Sequence, residues 1–191
     1  MARDKKKAQQ DRAWIFFQDE SGVSQLPCVR RTWAPKGETP VLTHNFNWEK
    51  LSVSGALGYR WNGKASDLFF HVLEGSYDTE ALIVFLEHLK VHRRSQKTIL
   101  IWDRLPAHKS ADMSAFLNRQ RDWLTIEFLP AYSPELNPLE YVWGNIKGQE
   151  LANRCALNLA ECEKALAQGM ARVAKSPTLA TAFLHHAGLF F

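Results

Sequence analysis

Thr98-Ile99-Leu100-Ile101-Trp102-Asp103 is a short β-branched and apolar run closed by an acid. It is too short for a helix and too apolar for a loop, which reads as a strand buried on both faces. An ionised carboxylate is costly inside such a strand, so Asp103 marks its C-terminal tip at the edge of the core. That edge is where sheets with parallel strands hold ligands. Ala13-Trp14-Ile15-Phe16-Phe17-Gln18-Asp19 has the same form, so Asp19 is expected to end a second strand.

Downstream of Asp103, Ser110 to Arg121 reads as a helix and Leu124 to Leu129 as a strand. Ser133-Pro134-Glu135-Leu136-Asn137-Pro138-Leu139-Glu140 then opens a helix, with Asn137 as N-cap and Pro138 as first helical residue. Upstream, Cys28 to Trp33, Leu51 to Leu57 and Leu68 to Leu73 read as strands, with Asn62-Gly63 as a hairpin turn. From Asp78 the period becomes helical, with Leu82, Phe85, Leu86 and Leu89 on one face and His92-Arg93-Arg94 at the end. Helical segments are expected from about Leu159 to Lys175 and again beyond Pro177.

The chain has 191 residues, 46% of them hydrophobic and 12% aromatic, enough for a sizeable single core. Its 24 Lys+Arg against 20 Asp+Glu give a formal charge of +4, a mild bias toward polyanions that identifies no partner. Cys28, Cys155 and Cys162 form no C-x-x-C pair and no disulfide framework, which fits a reducing cytoplasm. No signal sequence or membrane-length apolar run is present in these residues. Residues 1–12 are charged, with Lys5-Lys6-Lys7 as a solvated run, and order is expected to begin near Ala13.

A meander of strands followed by helix, strand, helix, strand, helix gives an α/β fold. Its mixed central sheet, an antiparallel meander plus parallel strands, is flanked by helices. That order matches the ribonuclease H-like arrangement, in which the strands ending in Asp19 and Asp103 lie side by side and the later helix supplies Glu140. Three acids and no thiolate form a ligand set for hard divalent cations such as Mg²⁺, with Mn²⁺ as a substitute. Two such ions clamp the attacking and departing oxygens of a phosphodiester displacement, and Asp19 suits the bridging position.

Each acid also has a structural reading. Asp19 could form a turn, Asp103 could start a loop with Arg104 as ion-pair partner, and Glu140 could be the N3 member of a capping box. His108 follows Asp103 closely enough to reach phosphate, or it is a packed loop histidine. Trp143 and Lys147 share a face with Glu140, so Lys147 could hold a phosphate beside a core tryptophan. Arg104 and Lys109 flank the same loop. Glu20 is expected to point away from Asp19, on the other side of the strand.

Phe17-Gln18-Asp19-Glu20-Ser21-Gly22, Arg31-Thr32-Trp33-Ala34-Pro35-Lys36-Gly37, Ile101-Trp102-Asp103 with His108, and Tyr132 to Trp143 resemble the catalytic domain of DDE-superfamily transposases, in the bacterial insertion-sequence branch related to mariner elements. The resemblance implies a ribonuclease H-like domain over 13–150, carrying a helical extension over 151–191. In it Asp19, Asp103 and Glu140 bind two Mg²⁺ ions to cut DNA at element ends and join the 3′-hydroxyl to a target. Two departures stand out: Arg104 occupies a position where many relatives carry Asn, and the N-terminal helix-turn-helix segments of full-length relatives have no counterpart here. The implied partners are DNA, as transposon ends and target, and either a second copy or an upstream helix-turn-helix part, with a bacterial, nucleoid-associated location and no membrane. A truncated regulator or relic, and a stand-alone ribonuclease H-like nuclease, are the alternatives.

Overall fold

The computed structural model describes residues 2–44 and 49–190. Within them the strands are β1 (Trp14–Ser24), β2 (Lys50–Arg60), β3 (Ser66–Glu74), β4 (Thr98–Trp102) and β5 (Leu124–Phe128). The helices are α1 (Ala2–Asp11), α2 (Thr79–His92), α3 (Ala111–Arg119), α4 (Pro138–Gly148), α5 (Leu159–Ala174) and α6 (Pro177–His186). The sheet order is β3-β2-β1-β4-β5. β1, β2 and β3 pair antiparallel, while β1, β4 and β5 pair parallel. The first strand therefore lies beside the strand that leads to Asp103, as the element order requires.

Alternation along β1 divides the core into two layers. Ile15 and Phe17 face α4, α5 and α6 in one cluster that also takes in Ala165, Met170 and Leu184. Phe16 faces α2 and α3 in the other, with Leu86, Leu100, Trp102 and Met113. β4 is buried along its whole length, which explains why its sequence is apolar at every position rather than at alternate ones. At ~25 cal/mol per Å² of apolar surface, each large side chain buried in these layers contributes roughly 1.5–3 kcal/mol before chain entropy is subtracted. The helix starts follow their sequence signals: Asp78 accepts from the Ala81 N–H, Ser110 from Met113 and Asn158 from Glu161. Leu82, Phe85, Leu86 and Leu89 form the buried face of α2.

Two expectations are corrected. Order does not begin at Ala13: α1 precedes it, Ala8 is fully buried against the sheet, and the Ala13 N–H bonds the Ala8 carbonyl at 2.9 Å. One small apolar residue among charged neighbours gives too little periodicity to announce that contact. Nor do residues 28–33 form a strand. Cys28 makes a single bridge to Ala152, and the chain then runs irregularly and exposed, with Val29 and Trp33 in solvent. β2 already pairs with β1 along its full length, so that segment finds no place on this edge of β1. The Asn62-Gly63 turn closes the β2–β3 hairpin, with Gly63 at φ 68 where a side chain would strain the backbone. Among the described residues no helix is long and apolar enough to cross a membrane.

Candidate active site

The parallel register Phe17↔Ile101, continued residue for residue, sets Asp19 level with Asp103 just beyond the last residue of β4. Asp19 does not end its strand. β1 continues to Ser24 because Ser21 to Ser24 stay paired with β2, so Asp19 is a mid-strand residue whose parallel neighbour has run out. This overturns both its expected place at a strand end and the turn-former alternative.

Glu140 is brought in by α4, and Asn137 fixes that helix to the sheet. Its side-chain oxygen caps Leu139 N–H at 3.1 Å, while its amide donates to the Gln18 carbonyl at 3.1 Å, one residue from Asp19. The capping box is not made: the Asn137 N–H bonds the Pro134 carbonyl at 2.8 Å, which leaves the exposed Glu140 carboxylate unused by the helix start. One turn further on, the buried Trp143 donates its indole N–H to Asp19 Oδ2 at 2.9 Å. That contact depends on Gly55, the β2 residue opposite Asp19, where an added Cβ would lie 2.9 Å from the Trp143 ring. Gly55→Ala is therefore expected to push Trp143 off Asp19, lowering thermal stability by about 1–3 kcal/mol as an overpacked core site. Retention of both the wild-type melting temperature and the Trp143 indole N–H signal in NMR would contradict this.

Asp103 faces a different partner from the one expected. Its Oδ1 accepts from Leu105 N–H at 3.0 Å and lies 2.6 Å from His108 Nδ1, while Arg104 turns away and donates to the Leu129 carbonyl at 3.0 Å. His108 is 2% exposed, stacked on Trp102 at 3.9 Å, and its Nε2 lies 3.5 Å from Glu20 Oε1. In this structure His108 does not line the cavity that holds the three acids: its buried ring sits between the Asp103 and Glu20 carboxylates. Glu20 points away from Asp19, as strand alternation demands, and engages this histidine from the far side.

The electrostatics follow from these neighbours. Burial and then the Glu140 charge push Asp19 up to about 7, against the opposing indole hydrogen bond. Burial works the other way on His108 but loses to contact with Asp103 and Glu20, which raises it to about 9. Burial would raise Asp103, yet His108 and the Leu105 N–H hold it below the usual carboxylate range. One acid is thus short of positive charge and the other well supplied.

Asp19, Asp103, Glu140, Arg104, Lys109 and Asn137 line one cavity of about 510 Å³, its lip carrying Tyr132 fully exposed in a left-handed backbone at φ 57. Among the described residues, no three His, Cys, Asp or Glu side chains stand together closely enough to hold a metal ion as they are placed here. Lys147 lies outside this cavity and donates to Ser21 Oγ at 2.8 Å, joining α4 to β1. Sequence reading missed the second role of Asn137, the Glu20–His108–Asp103 chain and Gly55. The glycine was the one with a signal, since Gly inside a strand pattern marks close approach.

The sequence pattern of the DDE superfamily endonucleases matches residues 14–162, which include all three acids. The chain belongs to that family. Solved structures share the fold of this DDE domain. The Mos1 mariner paired end complex with Mn aligns over 97% of this chain and 55% of its own, at 21% identity and TM-score 0.67. The catalytic domain of Mos1 mariner transposase aligns over 100% of this chain and 89% of its own, at 17% identity and TM-score 0.53. A simian T-cell lymphotropic virus intasome aligns over 83% and 47%, at 12% identity and TM-score 0.53. The chain spans about half the length of the transposase in the paired end complex. No curated protein matches the sequence. The architecture is the ribonuclease H-like one, with its mixed sheet and flanking helices.

Proposed function

We propose that this DDE domain cleaves DNA and transfers the cut strand in transposition, with Asp19, Asp103 and Glu140 as the catalytic acids. The observation that carries the reading is geometric: Asp19 on β1, Asp103 just past β4 and Glu140 on α4 line one open cavity, where burial and the Glu140 charge also raise Asp19 to about 7. A divalent cation offsets that negative charge, and an all-oxygen donor set suits Mg²⁺ or Mn²⁺. When bound, two such ions supply an activated nucleophile and a stabilised leaving oxygen. The chain's own residues set the geometry: Asn137 and Trp143 lock α4 to β1, and His108 holds Asp103 by one oxygen. Arg104 and Lys109 line the cavity as cations for backbone phosphates. Transposases with this fold are seen with Mn, with Mg and in a strand transfer complex, which supports the metals and DNA as partners. The further partner in this reading is a second copy or a helix-turn-helix part that finds the transposon ends.

The test is nicking of supercoiled plasmid by the purified chain. Conversion to open circle is expected with Mg²⁺ or Mn²⁺ and none with a chelator. Nicking that persists at full rate in chelator overturns the reading.

A further inference from the structure

We infer that the opposite end of the sheet carries a second DNA contact, a phosphate-backbone groove separate from the carboxylate cavity. It is a cleft of about 560 Å³ where the start of β1, the end of β2 and the ends of α1 and α2 meet, lined by Arg12, Trp14, Arg60, Arg93, Arg94 and Lys97. Trp14 and Asp19 are five residues apart on β1, which places the groove about 17 Å from the acids at ~3.3 Å per residue.

The floor is rigid. Arg93 lies over the Trp14 ring at 4.0 Å and is anchored to Asp67 Oδ2 at 2.6 Å, with its Nε buried and unpartnered among the described residues. Asp67 is shared with His92, and Asp11 lies 3.8 Å from Lys97, so the groove's two nearby acids are both engaged. Arg12, Arg60 and Arg94 are exposed, and no described carboxylate pairs with them. Arg12 and Arg94 also hold left-handed backbones, at φ 51 and φ 50, just past the ends of α1 and α2. Glycine or asparagine is the usual residue there, and arginine is disfavoured. Both arginines turn the chain at a helix end, with the Ala13 N–H reaching back to the Ala8 carbonyl at 2.9 Å and the Ser95 N–H to the Lys90 carbonyl at 2.9 Å, and the two turns set them along the same cleft. Cations spaced along a groove suit a polyphosphate backbone, whose binding they strengthen by releasing counterions.

This inference rests on the DNA reading above but not on its chemistry, so its test is run in chelator. Binding of a labelled 30-base-pair duplex is followed by anisotropy across a salt series for wild type, Arg60→Glu/Arg94→Glu, and a charge-matched control, Lys164→Glu/Lys175→Glu, on α5 and at the residue that closes it. The groove variant is expected to lose at least 10-fold in affinity, and its slope of log K against log salt to fall by about 2, at ~0.9 per phosphate contact. The control should lose far less. Arg60→Gln/Arg94→Gln, which removes charge without reversing it, should show the same slope change if the reversed variant misfolds. Equal losses in groove and control variants, or no DNA binding by wild type, overturn the inference whatever the outcome of the nicking assay. A groove that serves free nucleotides would show ATP raising the wild-type melting temperature but not that of the variant, with duplex affinity unchanged in both. That result too overturns the DNA assignment.

Discussion

Glu140→Gln is expected to cut divalent-metal-dependent nicking by more than about 100-fold, beyond what loss of a supporting group around a metal site costs, with no loss of thermal stability. The second half of that expectation is what the geometry adds. Glu140 is exposed, its capping-box role is unfilled, and its charge raises Asp19 at a cost to the fold. The isosteric amide removes a proposed ligand charge and relieves repulsion, so the melting temperature in chelator should stay level or rise. Asp103→Asn should abolish nicking equally but at a structural cost, because it takes one of two carboxylates from a buried, charged His108. Melting curves therefore separate two substitutions that activity alone cannot. Wild-type nicking by folded Glu140→Gln would remove Glu140 from the catalytic set.

The parts of this site legible in the sequence were those encoded locally. An unbroken apolar run announces β4, and the Asn137-Pro138 pair announces α4 three residues before its acid. Both signals act within a few residues of the chain, where strand burial and helix capping operate. The parts that stayed hidden depend on register between distant segments. Asp19 looks like a strand end because apolar residues stop there, yet pairing with β2 carries the strand to Ser24. His108 looks available because it follows a proline in a polar loop, yet the turn beginning at Pro106 folds it back onto Trp102. Arg104 sits next to Asp103 in sequence and looks like its partner. The backbone turn made by Leu105 gives that place to His108 instead. Side chains adjacent in sequence diverge at the end of a strand, and those several residues apart converge.

Asp19→Asn is expected to stabilise the metal-free protein at neutral pH while destroying activity. An acid raised from 3.8 to about 7 in the folded state binds its proton more tightly there than in the unfolded chain. The folded state then loses stability as pH rises from about 4 to about 7, and the loss is complete above the folded value. Three pH units at 1.36 kcal/mol each set a ceiling on the order of 4 kcal/mol. The amide's extra N–H groups need partners, so a net gain of about 1–3 kcal/mol is expected, roughly 3–9 °C for a chain of this size. Asn can still accept from the Trp143 indole, so that tie survives. The difference between variant and wild type in chelator should be absent near pH 4, grow through pH 5 and 6, and level off above 7. Adding Mg²⁺ should then raise the wild-type melting temperature and leave the variant unmoved, since the carboxylate that burdens the fold in chelator is the one that would hold the cation. A variant less stable than wild type at pH 7 in chelator would mean that Asp19 carries no such burden. A site whose acid costs the apo fold stability and returns it on binding metal is one in which function, not folding, has placed the charge.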